Sequence, residues 1–226
     1  MNYTFLGHNV NLFEFNGKKI ITDPWVLGNP IVSKQVNAEE LDYILLTHGH
    51  FDHIGNTVEF AKANPKIKII SNPEIGAYLQ KEGVAQEQLA SQYIGGYVSY
   101  DGFEIKGVLA VHGSSLPDGS YGGIAMGFIL NAEGKKIYIS GDTGLTLEMQ
   151  LLKDEDIDLA IMPMGGQFTM DLCDFKRAMK MVGAKKNIPV HYNTFPVIAC
   201  SDQTLQESLG KCGGVYIIQI NETIKV

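Results

Sequence analysis

The stretch His48-Gly49-His50-Phe51-Asp52-His53 gathers three of the chain's six histidines and a carboxylate into one short run. Neutral imidazole is the commonest biological metal ligand, and a carboxylate adds a hard oxygen donor whose charge offsets the cation. A His-x-His pair cannot share one face of a helix, where neighbours stand three or four residues apart. It needs a loop at the end of a strand, which can aim both rings at one point. Just upstream, Leu41-Asp42-Tyr43-Ile44-Leu45-Leu46 predicts a short buried strand, free of Gly and Pro. Downstream, Gly55 to Lys62 predicts the first turns of a helix. Strand, ligand-rich turn and helix are how an α/β protein presents chemistry at a sheet edge. A solvated surface loop or an adventitious metal-binding tract is the bland alternative, and so apolar a preceding run speaks against it.

Three more candidate ligands share that placement. His112 follows Ile105 to Val111, Asp142 follows Ile137 to Gly141, and His191 follows Ile188-Pro189-Val190. Each is the first strong metal ligand after a strand-like run, as His48 is. If those strand ends lie along one edge, the ligands converge there.

The elements that must position them alternate along the chain. Strands are expected at Tyr3 to Leu6, Val10 to Phe15 and Lys18 to Thr22, the last two joined by the hairpin signal Asn16-Gly17. Ile67 to Ile70 predicts a strand, Pro73 to Lys81 a helix, and Val98 to Val111 two strands around Asp101-Gly102. A hairpin over Ile124 to Leu130 and Lys136 to Ser140 turns at Asn131-Ala132-Glu133-Gly134. Asp158 to Met162 is a buried strand, and Asp171 to Val182 an amphipathic helix with Phe175, Ala178, Met179 and Val182 on one side. A helix near Gln203 to Leu209 precedes a strand pair, Val215 to Ile220 and Thr223 to Val226. Many strands with helices between them predict an α/β layered sandwich with helices outside, and no linker or repeat divides residues 1–226, which read as a single domain.

Composition narrows the functional classes. A net charge of −7 argues against non-specific nucleic-acid binding, which needs a basic face. The three cysteines, Cys173, Cys200 and Cys212, lack CxxC spacing, so neither a disulfide framework nor a thiolate zinc site is expected, and a reducing cytoplasm is the natural setting. Cys173 reads as an ordinary, partly buried residue starting a helix. The first residues, Met1 to His8, carry no basic region and no long apolar segment, and no stretch is long enough to span a membrane.

Taken in order, His-x-His-x-Asp-His, then His, then Gly-Asp-Thr, then His resembles the metallo-β-lactamase superfamily. More narrowly, Leu6-Gly7-His8, Thr22-Asp23-Pro24, Gly165 to Met170 and Pro189 to Thr194 resemble a family of bacterial and archaeal metal-dependent hydrolases. That family is related to the ascorbate-phosphate lactonases and to the phospholipases D acting on N-acyl phosphatidylethanolamine. The match runs from Thr4 to Pro196. It implies a four-layer αβ/βα sandwich and two metal sites. His48, His50 and His112 would hold the first ion, Asp52, His53 and His191 the second, and Asp142 would bridge them. The mixed imidazole and carboxylate set suits zinc first, with manganese or iron next. Two divalent cations, offset by two aspartates and a bridging hydroxide, leave about one net positive charge, which suits the anion formed when hydroxide attacks phosphorus or a carbonyl. Asp52, Asp142 and His191 are the residues on which turnover is expected to depend. A small-molecule phosphodiester is the first substrate expected, a lactone or another ester close behind, and a homo-oligomer is left open. The segment Gly113 to Gly123 is rich in glycine, serine and tyrosine, and Gly123 to Gly127 stands where relatives carry an Asn-Pro-Ala-Gly-like stretch, which puts substrate recognition rather than the metal site in question.

Several residues carry softer expectations. Asp23 either orients a ligand histidine through its second ring nitrogen or caps a turn before Pro24. Asp42 either does the same or begins a strand. His8 is expected near the pocket, donating to substrate or to a metal ligand. Gly165 and Gly166 would allow a bound group to approach the backbone closely, and Phe168, Thr169, Met170, Asn193 and Thr194 are candidates to line the pocket. Two other classes compete. A diiron redox protein of the flavodiiron type would carry Glu in the ligand motif and usually a flavin domain. A non-catalytic binding protein of the same fold, without turnover and with its metals lost, is opposed by the complete ligand set. A tRNA-processing nuclease, within the hydrolase class, would be expected to carry a basic extension.

Overall fold

The computed structural model describes residues 1–226, the side chain of Asp202 excepted. Six strands come first: β1 (Asn2–Gly7), β2 (Val10–Phe15), β3 (Lys18–Thr22), β4 (Tyr43–Leu45), β5 (Lys68–Ser71) and β6 (Leu89–Ser91). Six more form a second sheet: β7 (Tyr97–Tyr100), β8 (Phe103–Leu109), β9 (Met126–Ala132), β10 (Lys135–Ile139), β11 (Leu159–Pro163) and β12 (Lys186–Val190). The last, β13 (Thr223–Lys225), returns to the first sheet beside β1. The orders are β13-β1-β2-β3-β4-β5-β6 and β12-β11-β10-β9-β8-β7.

Alternating side chains make the layers. Tyr3, Phe13, Ile20 and Leu45 of the first sheet pack against Phe128, Leu130, Ile139 and Ile161 of the second, forming the core between them. The residues between these turn outward. Leu12, Ile21 and Ile44 meet Phe60 of α2 (Thr57–Ala63) and Ile75 and Leu79 of α3 (Pro73–Lys81). Tyr138, Ala160 and Met162 meet Phe175, Ala178 and Val182 of α4 (Leu172–Val182) and Leu205 of α5 (Asp202–Leu209). Helix, sheet, sheet, helix is the expected four-layer αβ/βα sandwich.

Strand direction brings the chemistry to one edge. β1 and β3 both run antiparallel to β2, and β4 runs parallel to β3. In the other sheet β8 and β10 both run antiparallel to β9, and β11 and β12 run parallel to β10. Within each sheet, therefore, the strands that precede His8, Asp23 and His48, or His112, Asp142 and His191, point the same way. Pro189 sits inside β12 without penalty because β12 is an edge strand.

Three expectations are corrected. The helix expected from Gly55 starts only at Thr57, as α2, and a separate single turn, α1 (Phe51–Ile54), precedes it. Gly55 separates them at φ +47°, where an added Cβ would lie 2.5 Å from the carbonyl oxygen of Pro24. Asp52 and His53 thus sit on a helical turn and not in the loop itself. The strand Val215 to Ile220 does not form: Val215 makes only an isolated bridge to Asn187, and Tyr216 N–H donates to Asn187 O at 2.9 Å. That segment leaves the edge of β12 and crosses toward β1, so its expected partner, Thr223–Lys225, pairs with β1 instead. Finally, β9 continues through Asn131 and Ala132, and the turn is Glu133-Gly134 alone, at φ +52° and +70°. β6 and a 3₁₀ segment, Leu147–Glu155, lie outside the sequence expectation.

Candidate metal centre

The His-x-His loop leaves β4 through Leu46 and Thr47, and its shape is held from behind. Gly49 N–H donates to Ser114 Oγ at 3.0 Å, and Ser114 Oγ donates to Gly122 O at 3.0 Å. The unusual Gly113–Gly123 segment therefore buttresses the ligand loop. From the second sheet, Met126 N–H reaches Thr47 O at 3.1 Å and ties the two sheets together at this edge.

Here the side chains gather in three overlapping groups. His48, His50 and His112 form one; His48, His53 and Asp142 a second; Asp52, His53 and His191, with His8, a third. Within each, the candidate ligand atoms lie no more than 4.8 Å apart. Asp142 stands in the middle. Its Oδ2 is 2.9 Å from His191 Nε2, 3.4 Å from His53 Nε2 and 3.6 Å from His112 Nε2. His53 Nε2, His191 Nε2 and Asp142 Oδ1 are nonetheless buried without a hydrogen-bond partner. Buried polar atoms are rarely left so; nitrogen and oxygen lone pairs converging without hydrogen-bond geometry are what a cation between them would satisfy. The donor set fits divalent metal.

A second layer fixes the rings. Asp23 Oδ1 accepts from Thr47 N–H (2.9 Å), and Oδ2 accepts from Thr47 Oγ1 (2.7 Å), Asn9 Nδ2 (3.1 Å) and His53 Nδ1 (2.8 Å). A carboxylate only accepts, so His53 Nδ1 must be a donor. Thr47 spends its one hydroxyl proton on Asp23, so it accepts from His48 Nδ1 at 3.0 Å. In the neutral rings both Nε2 lone pairs then face the cluster. His8, fully buried, donates from Nε2 to Asp52 Oδ2 at 3.1 Å, while its Nδ1 is 2.9 Å from Thr194 Oγ1. Both its ring nitrogens are engaged, and it is not among the residues that line the cavity over the cluster.

Electrostatics agree with this division. Burial holds His48, His50 and His112 below the ordinary histidine range, and brings His8 down to about 4; all four are neutral near pH 7. Burial acts the same way on His53, but Asp142 and Asp23 outweigh it and push its imidazole well above the usual range. Those carboxylates demand positive charge at this point. Burial would raise Asp52, yet the His8 hydrogen bond and the charge of His53 bring it down to about 2. The backbone is also bent to purpose: His8, Asp23 and His191 all lie at positive φ, 56°, 44° and 57°. Strain of this kind in non-glycine residues collects at functional sites.

The remaining expected residues part company. Gly165 lies against the His191 carbonyl, which an added Cβ would meet at 2.2 Å. Gly166, at φ +72°, serves the turn before Met170. Of the suggested lining residues, only Phe168 faces the cavity beside the cluster. Met170 is core, Thr169 stands off the cavity, Thr194 bonds His8, and Asn193 Oδ1 accepts from Cys200 N–H at 2.6 Å. Asp42 accepts from Lys19 N–H at 2.8 Å and lies one residue before β4, with no hydrogen bond to a ligand histidine. Cys173 is exposed rather than partly buried, and none of the three cysteines is in a disulfide. Sequence reading passed over Thr47, Trp25, Phe51 and Phe195. The lone tryptophan after Asp23-Pro24 was the available signal.

Comparisons with known proteins agree with the geometry. Residues 18–192 match the family described as the beta-lactamase superfamily domain. The chain is 40% identical to a UPF0173 metal-dependent hydrolase of Alkaliphilus metalliredigens, covering 98% of each. It is 39% identical to another of Anoxybacillus flavithermus, covering 100% of each. Among solved structures, a metallo hydrolase of the archaeon Ignicoccus hospitalis superposes with a TM-score of 0.85 at 30% identity, over 99% of this chain and 97% of that one.

Proposed function

From the premise that this chain belongs to the UPF0173 metal-dependent hydrolases of the beta-lactamase superfamily, we propose that it is a dinuclear hydrolase acting on a small-molecule phosphodiester, lactone or ester. One observation carries the reading: Asp142 stands within 3.6 Å of the Nε2 atoms of His53, His112 and His191, at the junction of the two ligand groups. His48, His50 and His112 would hold one ion, Asp52, His53 and His191 the other, and Asp142 both. Bound there, two divalent ions, zinc first and manganese or iron next, would supply Lewis acidity and a hydroxide nucleophile at neutral pH.

The chain's own groups do the rest. Asp23 and Thr47 hold the rings of His53 and His48 with their Nε2 atoms toward the cluster, and His8 holds Asp52. The cavity opens directly over His50, Asp52, His112, Asp142 and His191, so a substrate bond can be brought against them. No serine or cysteine lines that cavity, in keeping with attack that needs no side-chain nucleophile. We read residues 1–226 as one domain. Its cysteines, none of them in a disulfide, suit the cytoplasm, and among the described residues no helix is long and apolar enough to cross a membrane.

The test is metal content by elemental analysis, with turnover of a bis-aryl phosphodiester and a lactone panel after chelation and metal restoration. About two ions per chain and metal-dependent turnover are expected. A covalent enzyme intermediate trapped during turnover would overturn the mechanism.

A further inference from the structure

The cavity over the cluster is about 560 Å³, room for a small organic molecule. Its floor is the ligand set. Its wall is Phe51, Phe168, Phe195, Pro196 and Val197, and nothing else. No lysine, arginine or uncharged hydrogen-bonding side chain faces the space. Phe51, Phe168 and Val197 are 59%, 49% and 55% exposed, an apolar surface left open beside the most polar point of the molecule.

The wall is built rather than incidental. Trp25, itself buried, carries Phe195 stacked on it at 5.7 Å and Phe51 edge-on at 5.6 Å. Phe195 also meets the ring of His8, edge-on at 5.8 Å. The group that orients Asp52 thus also seats the wall, and the aromatic faces are fixed relative to the cluster. A nucleotide or phosphomonoester brings more than one negative charge, and recognition of such groups ordinarily uses arginine, lysine or ordered N–H donors. The wall carries neither arginine nor lysine, and the chain as a whole is acidic.

Resting on the hydrolase reading above, we propose that the substrate is an uncharged carboxylic ester or lactone whose non-reacting part is an apolar ring or chain seated on Phe51, Phe168, Phe195 and Val197. The carbonyl lies over the ligand set and the apolar part against the wall. In the reaction the acyl C–O bond breaks and the oxygen of water bonds to the carbonyl carbon. One proton of water ends on the departing alcohol oxygen, the other leaves with the ionising acid.

The test uses metal-restored protein and p-nitrophenyl acetate, butyrate and hexanoate, against bis(p-nitrophenyl) phosphate and p-nitrophenyl phosphate. kcat/KM should climb up to roughly fourfold per added methylene and exceed that of either phosphate. Val197→Arg, at the exposed rim, should flatten the climb. A flat or falling ester series, or preference for a phosphate, overturns the proposal and leaves the hydrolase reading standing. Binding is read separately through Trp25, the one tryptophan of the chain. The inert neutral ketone 4-phenyl-2-butanone should change its fluorescence saturably, and Val197→Arg should weaken that response. Saturable binding with no turnover of any substrate keeps the apolar seat and rejects hydrolysis; no fluorescence response rejects the seat itself.

Discussion

Oδ2 of Asp23 lies 2.8 Å from Nδ1 of His53, and the same oxygen takes the hydroxyl of Thr47, which in turn receives Nδ1 of His48. One carboxylate oxygen therefore sets the orientation of two rings assigned to different metal positions. Asp23 gains this reach from its left-handed backbone at the end of β3.

Asp23→Asn should keep the fold and weaken metal retention by about 10–100-fold, the usual effect of losing a group that orients a ligand. Chelator competition measures the affinity, and circular dichroism checks the fold. Unchanged affinity would mean that the pair is only structural.

Asp142→Ala should lose most of both ions, because nothing then screens two cations held at close range. Elemental analysis after gel filtration reads this directly. A variant that retains a full pair would show that the bridge is wrongly assigned.

Gly165→Ala leaves every proposed ligand in place, but its new Cβ would stand 2.2 Å from the His191 carbonyl. The backbone that carries His191 must shift. We expect a loss of about 1–3 kcal/mol in unfolding free energy and weaker binding at the position shared by Asp52, His53 and His191. Equal stability and equal metal content in the two proteins would contradict the geometry.

Glu155 offers a test far from the metals. Burial would raise its carboxyl, but Lys106, Lys136 and Tyr97 donate to it at 2.6, 2.8 and 2.8 Å and bring it down to about 2. A carboxyl lowered on folding stabilises above its ordinary 4.5, and that contribution fades as pH falls toward 2. Both lysines are about a third exposed, so the effect is modest. The difference in melting temperature between wild type and Glu155→Gln should be constant from pH 6 to 8 and shrink between about pH 4.5 and 2. A difference that grows in acid would refute it.

Much of this was legible in the chain because it depends on local pattern. Asn16-Gly17 turns its hairpin at two positive φ values, and Pro73 to Lys81 forms a helix with Asn72 as its cap. The ligand order was readable since each ligand follows a strand. What escaped was decided by tertiary contact. Gly55 stands at a positive φ close against Pro24, where a side chain would not fit, and the helix starts only at Thr57, and Val215 to Ile220 gives up strand pairing to cross between sheets. Thr47 looked like an ordinary strand end, and its role exists only because Asp23 arrives from the neighbouring strand. The apolar wall was invisible for the same reason: Phe51, Phe168 and Phe195 come from three separate segments.

The dispersal of the ligands has a consequence for biosynthesis. His48, His50, Asp52 and His53 leave the ribosome together, long before His112, Asp142 and His191, which the second sheet must carry into position. A nascent chain thus displays a partial chelate while half the cage is still untranslated. Metal met at that stage can be held by local residues alone, and closing the long loops that complete the cage is slow compared with local structure. On the proposed ligand assignment, which metal ends up inside would then depend on timing as well as affinity.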